Sequence, residues 1–103
     1  MIRLQWTGRI SRGKNQAAIQ WAKASAEYLK SKYQQILSMA AYEEQFGNVN
    51  TIHLFSDYDS LATLESVEAQ YPSDAAFQDL MNKSNEAGLF IEGSIHGTLL
   101  KSL

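Results

Sequence analysis

The chain has no cysteine and a single proline in 103 residues. Without cysteine there are no disulfides, no thiolate nucleophiles and no cysteine-based zinc sites. That absence suits a reducing compartment, and a cytoplasmic protein is expected. An excess of one charge is also missing. Nine Lys and Arg face eleven Asp and Glu, for a net charge of −2. No basic surplus is available to neutralise phosphates, so nucleic acid is not an expected partner. No apolar run approaches the roughly 20 residues that span a bilayer. The opening MIRLQWTGRI lacks the basic-then-apolar layout of a signal peptide. No membrane partner is expected. Hydrophobic residues make up 45% and charged residues 19%, which is globular usage and argues against disorder. The length predicts one domain, residues 1–103, small enough that limited surface is hidden unless a partner helps.

The hydrophobic pattern divides the chain. Over residues 1–10, Ile2, Leu4 and Trp6 alternate with Arg3, Gln5 and Thr7, which predicts a strand with one face in a core. Residues 14–34 place Ala18, Ile19, Ala22, Ala26, Leu29 and Tyr33 at helical spacing, against a polar sector of Gln20, Lys23, Glu27 and Lys30. A second stripe of Ala17, Trp21, Ala24 and Tyr28 widens the apolar arc beyond what one sheet face covers. Trp21 and Tyr28 are therefore expected to need a terminal segment or another subunit, a route to assemblies above a dimer.

Strands are predicted over 35–46 and 49–56, with a turn at Gly47-Asn48. Val49, Thr51, His53 and Phe55 share one face of the second of these, and Asn50, Ile52 and Leu54 the other. Capping residues from Asp57 to Ser60 begin another helix. Pro72 breaks it, since proline lacks an amide hydrogen and clashes with the preceding turn. Ser73 or Asp74 caps the continuation and Gly88 ends it. Residues 89–101 alternate again. Leu89, Ile91, Ile95 and Leu99 lie on one side, and Phe90, Glu92, Ser94, His96, Thr98 and Leu100 on the other.

The order strand, helix, strand, strand, helix, strand predicts an α+β, ferredoxin-like βαββαβ fold: a four-stranded antiparallel sheet with its helices on one face. The uncovered face mixes Phe55, Phe90, Leu100 and Tyr42 with Gln5, His53, Glu92 and His96. A mixed face suits a partly wet lumen between two sheets, which a symmetric dimer closes by self-complementarity. Gly13-Lys14 entering the first helix, the AIQWAKASAEY stretch from Ala18, and Ile52-His53-Leu54-Phe55 with the capped Asp57-Tyr58-Asp59-Ser60-Leu61 carry a resemblance. Tyr71-Pro72-Ser73-Asp74 leading to Phe77, and the closing strand from Gly93-Ser94 to Leu99-Leu100-Lys101, extend it over nearly the whole chain. The sequence resembles the dimeric α+β barrel superfamily, especially its NIPSNAP-like and antibiotic-biosynthesis-monooxygenase-like branches. The resemblance implies a homodimeric barrel and says much less about activity. Relatives in the second branch include cofactor-independent oxidases of aromatic polyketides and haem-degrading proteins. The second helix here has no histidine to ligate haem, and no cofactor is expected.

His53 and His96 are the only histidines, and the strand register turns both away from the helices, with Glu92 four residues before His96. As acid–base partners they are the candidate catalytic residues. The plainer alternative makes them hydrogen-bonded lining, and two histidines on separate strands do not define a metal site. Arg3, beside Gln5 on the same side of the first strand, can receive an anionic group bidentately or pair with Glu92 across an interface. The resulting expectation is a small aromatic or anionic ligand in the lumen, contacted by Arg3, Gln5, His53, Glu92 and His96. Two rivals stand beside it. One is a cofactor-independent monooxygenase or related enzyme using a lumen histidine as base on an aromatic substrate, and the other a structural or interaction module. Trp6 and Trp21 read as packing residues.

Overall fold

The structure, a computed structural model, describes residues 1–103. The N-terminal alternation forms strand β1, Ile2–Arg9. A turn through Gly13 leads into helix α1, Asn15–Lys32, followed by strands β2, Ser38–Glu43, and β3, Thr51–Tyr58. Helix α2, Leu61–Glu68, is capped by Ser60, whose hydroxyl accepts from the Thr63 amide. A 3₁₀ turn over Tyr71–Ser73 holds Pro72, and Asp74 caps helix α3, Ala75–Ala87, by accepting from the Phe77 amide. Gly88 closes α3 in the left-handed conformation that a residue without Cβ adopts freely. Strand β4, His96–Lys101, completes the chain. No helix is long and apolar enough to cross a membrane.

The sheet order is β2-β3-β1-β4, and each neighbouring pair is antiparallel. This is the ferredoxin-like arrangement that the element order predicts. Directly opposed residues share a face, so the register sorts the side chains. Leu4, Trp6, Ile52, Leu54, Met39 and Ala41 face the helices. The other face carries three rows: Ser38-Asp57-Arg3-Leu100, Ala40-Phe55-Gln5-Thr98 and Tyr42-His53-Thr7-His96.

Two expectations are corrected. The closing strand starts at His96, not at residue 89. Phe90 makes one isolated bridge to Ile10, then the chain turns: Gly93 takes φ +80° and the Ser94 amide donates to the Ile91 carbonyl at 3.0 Å. That turn breaks the period of two, so residues before and after it do not share a register. Phe90 consequently leaves the open face. It packs edge-on against Trp6 and Trp21, at ring distances of 5.1 and 5.3 Å. Glu92 sits in the turn, exposed, and not on β4.

The second correction concerns Trp21 and Tyr28. Trp21 is buried, and its Nε1 donates to the Leu80 carbonyl of α3 at 2.8 Å. Tyr28 is half-buried and donates its hydroxyl to Asp74 at 2.6 Å. The two aromatic residues of the wide apolar arc of α1 are thus covered from within the chain, by α3 and the segment before it, while Ala17 and Ala24 stay exposed. Neither residue offers an exposed surface from which to build a higher oligomer.

Gly8 belongs to the same cluster. A Cβ there would stand 2.8 Å from the Trp6 ring and 3.0 Å from the Phe90 ring. The missing side chain lets the indole of Trp6 lie back along its own strand, where Trp21 and Phe90 enclose it.

Candidate functional site

Two regions combine polar chemistry with shape: the open sheet face and a cavity on the sheet's other side. On the open face, the strand periodicity brings Arg3 opposite Asp57. The guanidinium donates to both carboxylate oxygens, Nε at 2.7 Å and Nη2 at 3.0 Å, and the Ser38 hydroxyl donates to the same carboxylate at 2.6 Å. The Arg3 hydrogen bond, then that of Ser38, hold the buried Asp57 carboxyl below its ordinary value against the opposing effect of burial. Arg3 also lies 5.2 Å above the Phe55 ring.

His53 is the centre of the second group. Its Nε2 lies 2.6 Å from Glu44 Oε1. A carboxylate only accepts, so Nε2 donates; Nδ1 lies 2.8 Å from the Thr7 hydroxyl and 3.2 Å from the Gln5 amide nitrogen. Glu44 accepts in addition from the Asn48 amide. The His53 bond, then that of Asn48, depress the Glu44 carboxyl below its usual range. Tyr42 and Phe55 meet edge to face at 5.4 Å beside this network.

Arg3, Gln5, His53 and His96 all lie on the open face, as the sequence predicts. Within one subunit they fall into separate groups. Arg3 and His53 belong to separate networks, and His96 is exposed on β4 with β1 between it and His53, roughly 10 Å away at the usual strand spacing. Its Nδ1 has only the Ser94 carbonyl, at 3.2 Å, within reach. Glu92 is brought to none of them. Its surroundings are Ser11, Ser84 and Asn85, near the end of α3. No cluster of three or more His, Cys, Asp or Glu side chains with metal-binding geometry occurs. Asp57 and Glu44 are the partners that sequence reasoning missed. Continuing the β3 alternation through His53 and Phe55 by one step reaches Asp57. No periodic signal marks Glu44, which follows the end of β2.

The cavity lies between the inner face of the sheet and the helices. It measures about 200 Å³. Trp6, Trp21, Leu54, Phe77 and Met81 supply apolar wall. Ser25 on α1 also lines it; the residue is 3% exposed and its hydroxyl has no hydrogen-bond partner. Tyr58, Glu68 and Tyr71 are the ionisable side chains of the wall. Burial, reinforced by the nearby Tyr58 and Glu68, pushes the Tyr71 phenol far above its ordinary value, so it stays neutral. A larger trough of about 610 Å³ runs between α1 and the β2 edge, but its rim of Lys23, Glu27, Lys30 and Gln34 is a solvated helix surface.

No protein-family profile matches the chain, and a search among curated proteins finds no match. Solved structures do match. A NIPSNAP domain protein from Burkholderia xenovorans superposes with a TM-score of 0.79 at 14% identity, over 100% of this chain and 95% of that one. A protein from Agrobacterium tumefaciens gives 0.80 at 14% identity, over 100% and 94%. An antibiotic biosynthesis monooxygenase gives 0.74 at 12% identity, over 100% and 99%. The neighbours include a NIPSNAP domain protein and an antibiotic biosynthesis monooxygenase, and at these identities the likeness is one of fold.

Proposed function

We propose, taking that shared fold as premise, that this chain is a homodimeric α+β barrel protein that holds one small, mainly aromatic molecule in the cavity between its sheet and its helices. The observation that carries the ligand reading is the Ser25 hydroxyl. A buried hydroxyl without a partner costs free energy, on the order of 1–3 kcal/mol. It is accounted for if a bound molecule or water completes it. The apolar walls favour a ring over water, and a cavity of about 150 Å³ already accepts a benzene-sized molecule.

The dimer reading rests on the open face. Tyr42 is 58% exposed and Leu100 43%, on a sheet with nothing over them. The charged groups among them are already paired within the subunit, so a second copy can cover the face without stranding a charge. In this reading Arg3, Gln5, His53 and His96 line the seam between two subunits. Their hydrogen-bonding capacity is largely taken up by one another's neighbours, which favours a structural seam over a ligand lumen.

The enzymatic alternative places a histidine base in the lumen over the open face; for a molecule held instead in the helix-side cavity that base is out of reach. His53 and His96 lie across the sheet from the cavity, and neither can reach a molecule held there. A monooxygenase of the kind named among the neighbours, acting on a molecule in this cavity, would have to draw on Glu68 or a tyrosine.

Thermal denaturation in the presence of indole tests the ligand reading. Indole is expected to raise the melting temperature of the native chain and to raise that of Ser25→Val less, since valine removes the hydroxyl and takes up part of the space. Equal stabilisation of both proteins refutes the cavity assignment. Sedimentation at micromolar concentration tests the dimer: a stable lone subunit, or a dimer that survives Tyr42→Glu, counts against closure through the open face.

A further inference from the structure

Charge in the cavity wall is one-sided. Glu68 ends α2, lines the cavity next to Tyr71, and takes part in none of the ion pairs of the molecule, which join Arg3 to Asp57, His53 to Glu44 and Lys83 to Asp79. No Lys, Arg or His lines the cavity with it. The last turn of α2 has no basic residue either. The negative end of the helix dipole therefore adds to the carboxylate uncompensated. The Ser25 hydroxyl also lines the cavity, 3% exposed and unpartnered, able to donate or accept. An anionic group placed here would meet a carboxylate, a helix C-terminus and no cation. A cationic group at the rim would pair with Glu68 while its ring occupied the apolar interior.

We propose that the cavity selects an aromatic amine, with the ring between α1, α3 and the sheet and the protonated amino group at Glu68, and discriminates against the aromatic carboxylate of the same skeleton. The proposal rests on the cavity reading above and narrows it: of the aromatic and anionic ligands expected from the sequence, the anion has no partner on this side of the sheet. Glu68 is exposed, so it acts at the mouth, and its effect is that of a partly screened ion pair.

Three probes of one skeleton separate the contributions: 2-phenylethylamine, 2-phenylethanol and 3-phenylpropionate, titrated calorimetrically into the full chain at pH 7. The amine is expected to bind about threefold tighter than the alcohol and about tenfold tighter than the carboxylate. Glu68→Gln is expected to bring amine and alcohol within twofold of each other. Carboxylate binding as tight as the amine, or an amine preference that survives Glu68→Gln, overturns the proposal. If the alcohol binds and the amine has no advantage, charge selection falls and the cavity stands. If none of the three binds, the cavity reading falls and the selection with it.

Discussion

Gly8→Ala should be among the most damaging single-methyl changes in this chain, although alanine is the better strand residue by backbone criteria. Gly8 lies in β1 with ordinary strand geometry, so no left-handed φ protects it. Limiting the unfolded chain would even stabilise the alanine form, by about 0.4–1 kcal/mol. The contacts oppose this. The new methyl would lie 2.8 Å from Trp6 Cη2 and 3.0 Å from Phe90 Cδ1, well inside contact distance. Trp6 borders the cavity on one side, but Trp21 at 5.6 Å and Phe90 at 5.1 Å hold its ring on two others, so yielding costs packing. Overpacking of this kind costs about 1–3 kcal/mol, leaving a net loss of roughly 1–2 kcal/mol. For a domain of this size that lowers the melting temperature by about 4–16 °C. Urea denaturation followed by tryptophan fluorescence measures it, and Phe90→Leu provides the control. If the clash is the cause, the double variant should recover at least about 0.5 kcal/mol relative to the sum of the single changes. A Gly8→Ala protein as stable as the parent, or strictly additive effects, would refute the reasoning.

Asp74 should shape the acid limb of stability. It accepts from the hydroxyls of Tyr28 and Tyr33, each at 2.6 Å, and from the Phe77 amide. The tyrosine bonds, Tyr28 first, hold its carboxyl down at about 2. A depressed carboxyl contributes stability that is present above the unfolded value near 3.9 and is lost as pH falls through about 2. Melting curves between roughly pH 5 and 2 should therefore fall less steeply for Asp74→Asn than for the parent; parallel curves would sink the assignment. Trp21→Phe removes the indole donor to Leu80 and part of the ring. It is expected to cost about 1–3 kcal/mol and to leave the sedimentation coefficient unchanged. A change in assembly state would reinstate Trp21 as an intersubunit contact.

Much of the fold can be read from local pattern. The alternation of Ile2, Leu4 and Trp6, the stripe from Ala18 to Leu29 and the caps at Ser60 and Asp74 are short-range signals, and each element forms where they lie. The site is less legible. His53 and His96 fall on the open face because strand parity places them there. Glu92 and Phe90 do not, because parity holds only while the strand is unbroken and the Gly93 turn intervenes. Neither Ser25 nor Glu68 carries a sequence signal: Ser25 is a polar residue in a run of alanines, and Glu68 one of several helix acids.

The sequence by itself determined which faces of which elements are apolar, the order of those elements and therefore the antiparallel sheet, since periodicity and capping act over a few residues. Only the tertiary structure decided what covers each face. Trp21 and Tyr28 find α3 and Asp74 from distant parts of the same chain, and Ser25 finds nothing. A helix records in its own spacing that it has a face to bury. What it meets there, and whether a gap is left between, depends on the volumes and angles of several elements packed at once.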